Sequence, residues 1–149
     1  METMPAGNDG QASGLDLNSL RNFAEGYAIA WSSQNAAAVA ARYSPHGSRC
    51  ANGAEPYVGR SGIEVAVQQF MTAFPNLQIA LDDILIVGDG AEVHWTLSGV
   101  NSGPGGTGQH ISVKGFEEWR MGKDGLIAES HAHFSMADLQ RQMAKGTTA

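Results

Sequence analysis

After Pro75 the hydrophobic period of this chain changes from about 3.6 residues to two, which argues against an all-helical and an all-strand fold alike. Before that point Leu17, Leu20, Ala24, Tyr27 and Trp31 fall at steps of three, four, three and four, along one face of a helix that Asp16 can cap. Asn35 caps a second, short helix from Ala36 to about Tyr43, which Pro45 stops. Residues 48–57 have a weak extended pattern with a turn at Asn52-Gly53. Ser61-Gly62-Ile63-Glu64 has the spacing of a capping box. It opens a third helix with Ile63, Val67, Phe70 and Phe74 on one face, ended by Pro75.

Beyond Pro75, Leu77, Ile79 and Leu81 alternate, and Asp89-Gly90 after Ile84–Val87 reads as a hairpin turn. Val93, Trp95 and Leu97 alternate with His94, Thr96 and Ser98. A glycine-rich connection (101–108), a strand over about 110–120, the turn at 122–125 and a last strand at 127–134 follow. Ser135, with Asp138 three residues on, caps a short terminal helix that Gly146 closes. Residues 1–14, polar and rich in glycine, read as a disordered tail, and 15–146 as a single α+β domain.

The formal net charge of -6 offers no basic stripe for nucleic acid. One cysteine, Cys50, precludes an internal disulfide, and no segment reads as a membrane span or a signal peptide. A cytoplasmic protein without a bound cofactor is the expectation.

Strand parity separates an inner face from an outer one. Val93, Trp95 and Leu97 belong inside, with His94 outside. On the next strand Val113, Gly115, Glu117 and Trp119 share the apolar side, while Ser112, Lys114, Phe116, Glu118 and Arg120 face out. On the last, Ala128, Ser130, Ala132 and Phe134 form the inner set, and Ile127, Glu129, His131 and His133 the outer one. Glu117 is thereby a carboxylate on an apolar face, which needs a partner, a proton or a pocket. The competing readings are a structural hydrogen bond and a slipped register.

The order of helices and strands resembles the nuclear transport factor 2-like superfamily over about residues 16–145. That superfamily includes ketosteroid isomerases, limonene epoxide hydrolase and the SnoaL-like polyketide cyclases. Trp95-Thr96-Leu97-Ser98-Gly99-Val100-Asn101-Ser102-Gly103 is similar to the "W…GTHTG" run of SnoaL-like proteins, with Gly108 beyond it. Asp124-Gly125-Leu126-Ile127-Ala128-Glu129 is similar to their "DGKIxE". The resemblance implies a cone of three N-terminal helices packed on a curved antiparallel sheet, with a short C-terminal helix. It puts the tyrosine of the isomerase oxyanion hole on Tyr27 and its carboxyl on Glu117, and lines the pocket with Ser130, Ala132 and Phe134. The departures are as informative. The isomerase general base falls near Ala51, beside Cys50 and Asn52, and the aspartate positions of SnoaL-like proteins read Ala132 and Ser135. Asn101 replaces a histidine, and the Arg/Asp set of limonene epoxide hydrolase has no counterpart, Arg120 having the wrong parity to meet Glu117.

Two functional readings follow. In one, the chain acts on a hydrophobic, ring-containing small molecule in cyclase or isomerase fashion. Glu117, raised in pKa by apolar neighbours, is then the acid/base, and the Tyr27 hydroxyl holds a developing enolate. Trp31, Tyr43, Phe70, Phe74, Val93, Trp95, Leu97, Trp119 and Phe134 complete the walls with Ser130 and Ala132. In the other, the same pocket binds without chemistry. A metal held by His131 and His133 is a weaker, third option. The resemblance further implies a homodimer through the outer face, with His94, Phe116, His131 and His133 at the contact.

Overall fold

The computed structural model describes residues 15–145. The tail expected at 1–14 and the Gly146 stop lie outside them. Helix α1 (Leu17–Ser32) starts as the spacing predicts, with the Asp16 carboxylate accepting from Ser19 N at 2.9 Å. Helix α2 (Ala36–Ala40) is capped by Asn35, whose side chain accepts from Ala38 N at 3.0 Å.

The α2 helix stops before Tyr43, which instead begins strand β1 (Tyr43–Ala51). A residue before proline is pushed out of the helical region, so Ser44-Pro45 enforces extension. Pro45 itself sits where the pairing is irregular, between Tyr43 and Ser48. Strand β2 (Tyr57–Val58) pairs back on β1, and Gly59, at φ 82°, turns the chain straight into α3 (Gly59–Ala73). The helix therefore starts ahead of the Ser61 capping box, and Val58 provides no side-chain cap.

The remaining strands are β3 (Gln78–Val87), β4 (Gly90–Val100), β5 (His110–Met121) and β6 (Ile127–Phe134), followed by α4 (Met136–Lys145). The β3–β4 hairpin turns at Gly88-Asp89, one residue earlier than expected, because Val87 pairs with Gly90. Gly90 is required there: a Cβ would collide with the Trp119 carbonyl. The sheet order is β2-β1-β6-β5-β4-β3, antiparallel except that β1 runs parallel to β6. No helix among the described residues is long and apolar enough to cross a membrane.

Two irregularities reset strand parity. Between Leu81 and Asp83 the register shifts, so the inner set passes from Ile79 and Leu81 to Ile84 and Ile86. Between Arg120 and Met121 a second shift turns Ile127 inward, fully buried, which corrects its assignment to the outer set. Elsewhere most of the inner residues are buried as read: Val93, Trp95 and Leu97 on β4, Val113, Glu117 and Trp119 on β5, and Ser130 and Ala132 on β6, while Gly115, Ala128 and Phe134 are half-buried. Helices α1 and α3 pack Leu20, Ala24, Tyr27, Trp31, Ile63 and Val67 against this face. Helix α4 is pinned to β5 by Gln142, which accepts from Ser112 N at 2.7 Å and donates to Ser112 O at 3.0 Å.

Candidate functional site

Glu117 sits mid-strand between Val93 of β4 and Ala132 of β6, buried at 3% exposure. Its surroundings are polar where apolar ones were expected. Oε1 accepts from the Tyr27 hydroxyl and from Trp119 Nε1, both at 2.9 Å. Oε2 faces Arg49 Nη1 at 3.4 Å as a buried ion pair. The same Nη1 donates to the Tyr27 and Tyr43 hydroxyls at 3.0 and 3.1 Å. Tyr43 continues the chain of hydroxyls to Ser130 Oγ at 2.7 Å. One element thus supplies each part: α1 gives Tyr27, β1 gives Tyr43 and Arg49, β5 gives Glu117 and Trp119, and β6 gives Ser130.

Burial, and then the field of Glu117, hold the Tyr27 hydroxyl well above its ordinary pKa near 10.0. Tyr43 is also raised, by burial first, with Arg49 pulling the other way. Burial opposes the Arg49 charge, but Tyr27, Tyr43 and Glu117 more than offset it, holding the guanidinium protonated. Its Cζ also lies over the Trp31 ring, 5.3 Å from the centroid.

A cavity beside these groups has about 30 Å³ open to the centre of a water molecule. Of the residues expected at the walls, Tyr27, Trp31, Phe70, Trp95, Leu97, Glu117 and Phe134 line it, together with Arg49 and Ile79. Phe74 and Val93 are buried in the core, the former stacked on Phe70. Ala132 is buried opposite Glu117, while Tyr43, Trp119 and Ser130 belong to the polar network behind the wall. One water needs roughly 10–15 Å³ by this measure, so a ring compound enters only if side chains turn aside. Phe70 and Phe134, half-buried and edge to face at 6.4 Å, are placed to do so. Larger hollows, of about 610 Å³ by Phe23 and Lys123 and 580 Å³ along α3, contain none of the buried polar groups.

Arg49 is the member of this network that sequence reasoning missed: Arg120 was the one arginine weighed as a partner for Glu117, and its outward parity holds, but Arg49 meets the carboxylate from β1. Its signal was faint: an arginine sharing parity with Tyr43 and Gly47 in a weakly patterned strand. Pairing with Ser130 of β6 is what turns it inward.

The outer face carries the other expected set. His94, Phe116 and His133 form a stack of rings, with centroids 5.3 and 4.7 Å apart. His94 Nε2 lies 2.9 Å from Glu92 Oε1, and His133 Nε2 lies 2.7 Å from Glu118 Oε1. His131 Nδ1 meets Cys50 Sγ at 3.0 Å, so His131 and His133 serve different neighbours.

A family model described as SnoaL-like polyketide cyclase matches residues 21–143, a span that contains the whole buried network. No curated protein matches the chain in sequence. Among solved structures, a protein of ketosteroid isomerase-like fold from Catenulispora acidiphila, in complex with trimethylamine, is 15% identical with a TM-score of 0.73, covering 82% of this chain and 92% of its own. TsrD from Streptomyces laurentii is 23% identical at a TM-score of 0.73, covering 87% and 97%. SalBIII, an epoxide hydrolase/cyclase-like enzyme of pyran ring formation in salinomycin, is 13% identical at 0.72, covering 83% and 95%. At these identities the likeness establishes the fold alone.

Proposed function

Because the chain belongs to the SnoaL-like polyketide cyclase family, we propose that it performs acid–base chemistry on a small hydrophobic carbonyl compound held in the cavity. The observation that carries this reading is the buried Arg49–Glu117 pair opening onto an aromatic-walled cavity. Glu117 Oε2 has Arg49 as its one partner among the described residues. It is therefore the oxygen free to take a proton from a carbon next to the carbonyl. The electron pair of that C–H bond passes to the carbonyl oxygen as an enolate.

Tyr27 has a different part from the one first expected. Its proton is engaged by Glu117 Oε1, so it positions the carboxylate with Trp119 rather than donating to the enolate. The enolate donors fall to Arg49. In a screen of enolisable ketones and epoxides, Glu117→Gln is expected to abolish a turnover that the wild type has. Turnover unchanged by that substitution overturns the proposal.

A second reading, binding without chemistry, draws on Ala132 and Ser135 standing at the positions where the resemblance to SnoaL-like proteins leads one to expect aspartates. Saturable binding of a hydrophobic ligand by a wild type that turns over no member of the screen supports it. As a partner we propose a second copy of the chain, meeting this one through the His94–Phe116–His133 stack. A monomer by sedimentation at high protein concentration counts against that.

A further inference from the structure

We propose that the cavity admits one negative charge beside Arg49 and no second: a neutral carbonyl compound enters directly, and a carboxylate enters only together with a proton. This rests on Arg49 and Glu117 being the working pair of the site proposed above.

The charged groups at the cavity wall are Arg49 and Glu117. The other titratable groups facing Glu117 are Tyr27 from α1 and Tyr43 from β1, both kept neutral by burial. From the flanking strands, Val93 of β4 and Ala132 of β6 stand opposite it, and Ser130 joins through Tyr43. One cation and one anion therefore make up the charge of the site.

The guanidinium is only half used. Its contacts with Tyr27, Tyr43 and Glu117 all run through Nη1. Among the described residues, Nη2 and Nε have no hydrogen-bond partner, although Arg49 is 8% exposed and lines the cavity. These donors are not sealed off without a partner; they open on the cavity, and an oxygen placed there would meet them. If that oxygen belongs to a carboxylate, two negative charges would share one cation in a poorly solvated space. Two carboxylates so placed do not both stay ionised, and one takes up a proton. A neutral carbonyl avoids the conflict. When Glu117 accepts the carbon-bound proton, its charge passes to the enolate oxygen, and the site again holds one negative charge.

Acetate and acetamide test this, being alike in shape, small enough for the cavity, and different in charge. Each is titrated into the wild type and into Glu117→Gln between about pH 6 and pH 8, where acetate is ionised throughout. The Trp119 indole N–H resonance reports occupancy, since that group donates to Glu117 Oε1. Uptake of one proton makes the wild-type dissociation constant for acetate rise about tenfold per pH unit, while that for acetamide stays level. In Glu117→Gln acetate supplies the single negative charge itself. It then binds more tightly than to the wild type at the upper pH, and the slope disappears. Any effect of the outer-face histidines is common to both proteins and cancels in the comparison.

A wild-type acetate constant that changes by less than about twofold across this range overturns the proposal, and so does failure of Glu117→Gln to bind acetate. If the variant does not fold, the wild-type slope decides alone. A flat acetate profile beside turnover lost in Glu117→Gln would refute the charge rule and leave the acid–base reading standing. The slope beside an inactive wild type would do the reverse.

Discussion

The inner and outer faces of the sheet each carry an arginine–carboxylate pair, and the shorter pair is the weaker one. Arg120 and Glu129 approach to 3.1 Å on the outer face with side chains 52% and 44% exposed. Arg49 and Glu117 are 3.4 Å apart inside, at 9% and 4%. Water screens the first pair and lets either partner solvate alone, so it contributes about 0–1 kcal/mol. The second has little room for water beside it, and removing one partner strands the other. Distance says which charges meet; burial says how much depends on their meeting.

The sharpest way to break that contrast is Arg49→Met, which leaves Glu117 buried without its cation. A loss of about 3–5 kcal/mol in urea unfolding is expected, and the double variant Arg49→Met/Glu117→Gln recovers much of it. A single-variant loss below about 1 kcal/mol would erase the distinction between the faces.

Tyr27→Phe comes next. It removes a donor to Glu117 and an acceptor of Arg49 while keeping the ring, at a cost of about 1–3 kcal/mol by the same measurement. As a positioning change it should also shift the pH profile of any turnover, which loss of packing alone would not do.

The tyrosines make a pH test. Because the folded values of Tyr27 and Tyr43 are raised, their contribution to stability is complete below the ordinary value near 10.0 and is lost as pH rises above it. Phenolate absorbance from these two should therefore appear together with the loss of near-ultraviolet dichroism. Phenolate formation by all three tyrosines of the chain in an intact fold would contradict the burial argument. The smallest effect belongs to Arg120→Met: within about 1 kcal/mol of wild type, and shrinking as salt is added.

Much of this was legible along the chain. The faces of β4 and β5 follow from alternation over long regular strands, and that alone placed Glu117 inside with Trp119 and set His94 outside. The α1 spacing put Tyr27 on the buried side. Legibility failed where a strand is irregular or takes its register from a distant partner. Ile127 changed sides at a register shift, and the capping box at Ser61 was bypassed because Gly59 allowed an earlier start. Tyr43 was drawn into a strand by Pro45.

Sequence by itself therefore determined the α+β division, the inner and outer faces of the regular strands and the presence of a buried carboxylate. These depend on neighbours a few residues away, through local periodicity and propensity. Tertiary structure alone decided what that carboxylate meets. Arg49 reaches Glu117 only because β1 lies parallel to β6, a pairing between segments some 80 residues apart that no local pattern encodes. The cavity volume is decided the same way, by how rings from α1, α3, β4 and β6 close over that pair.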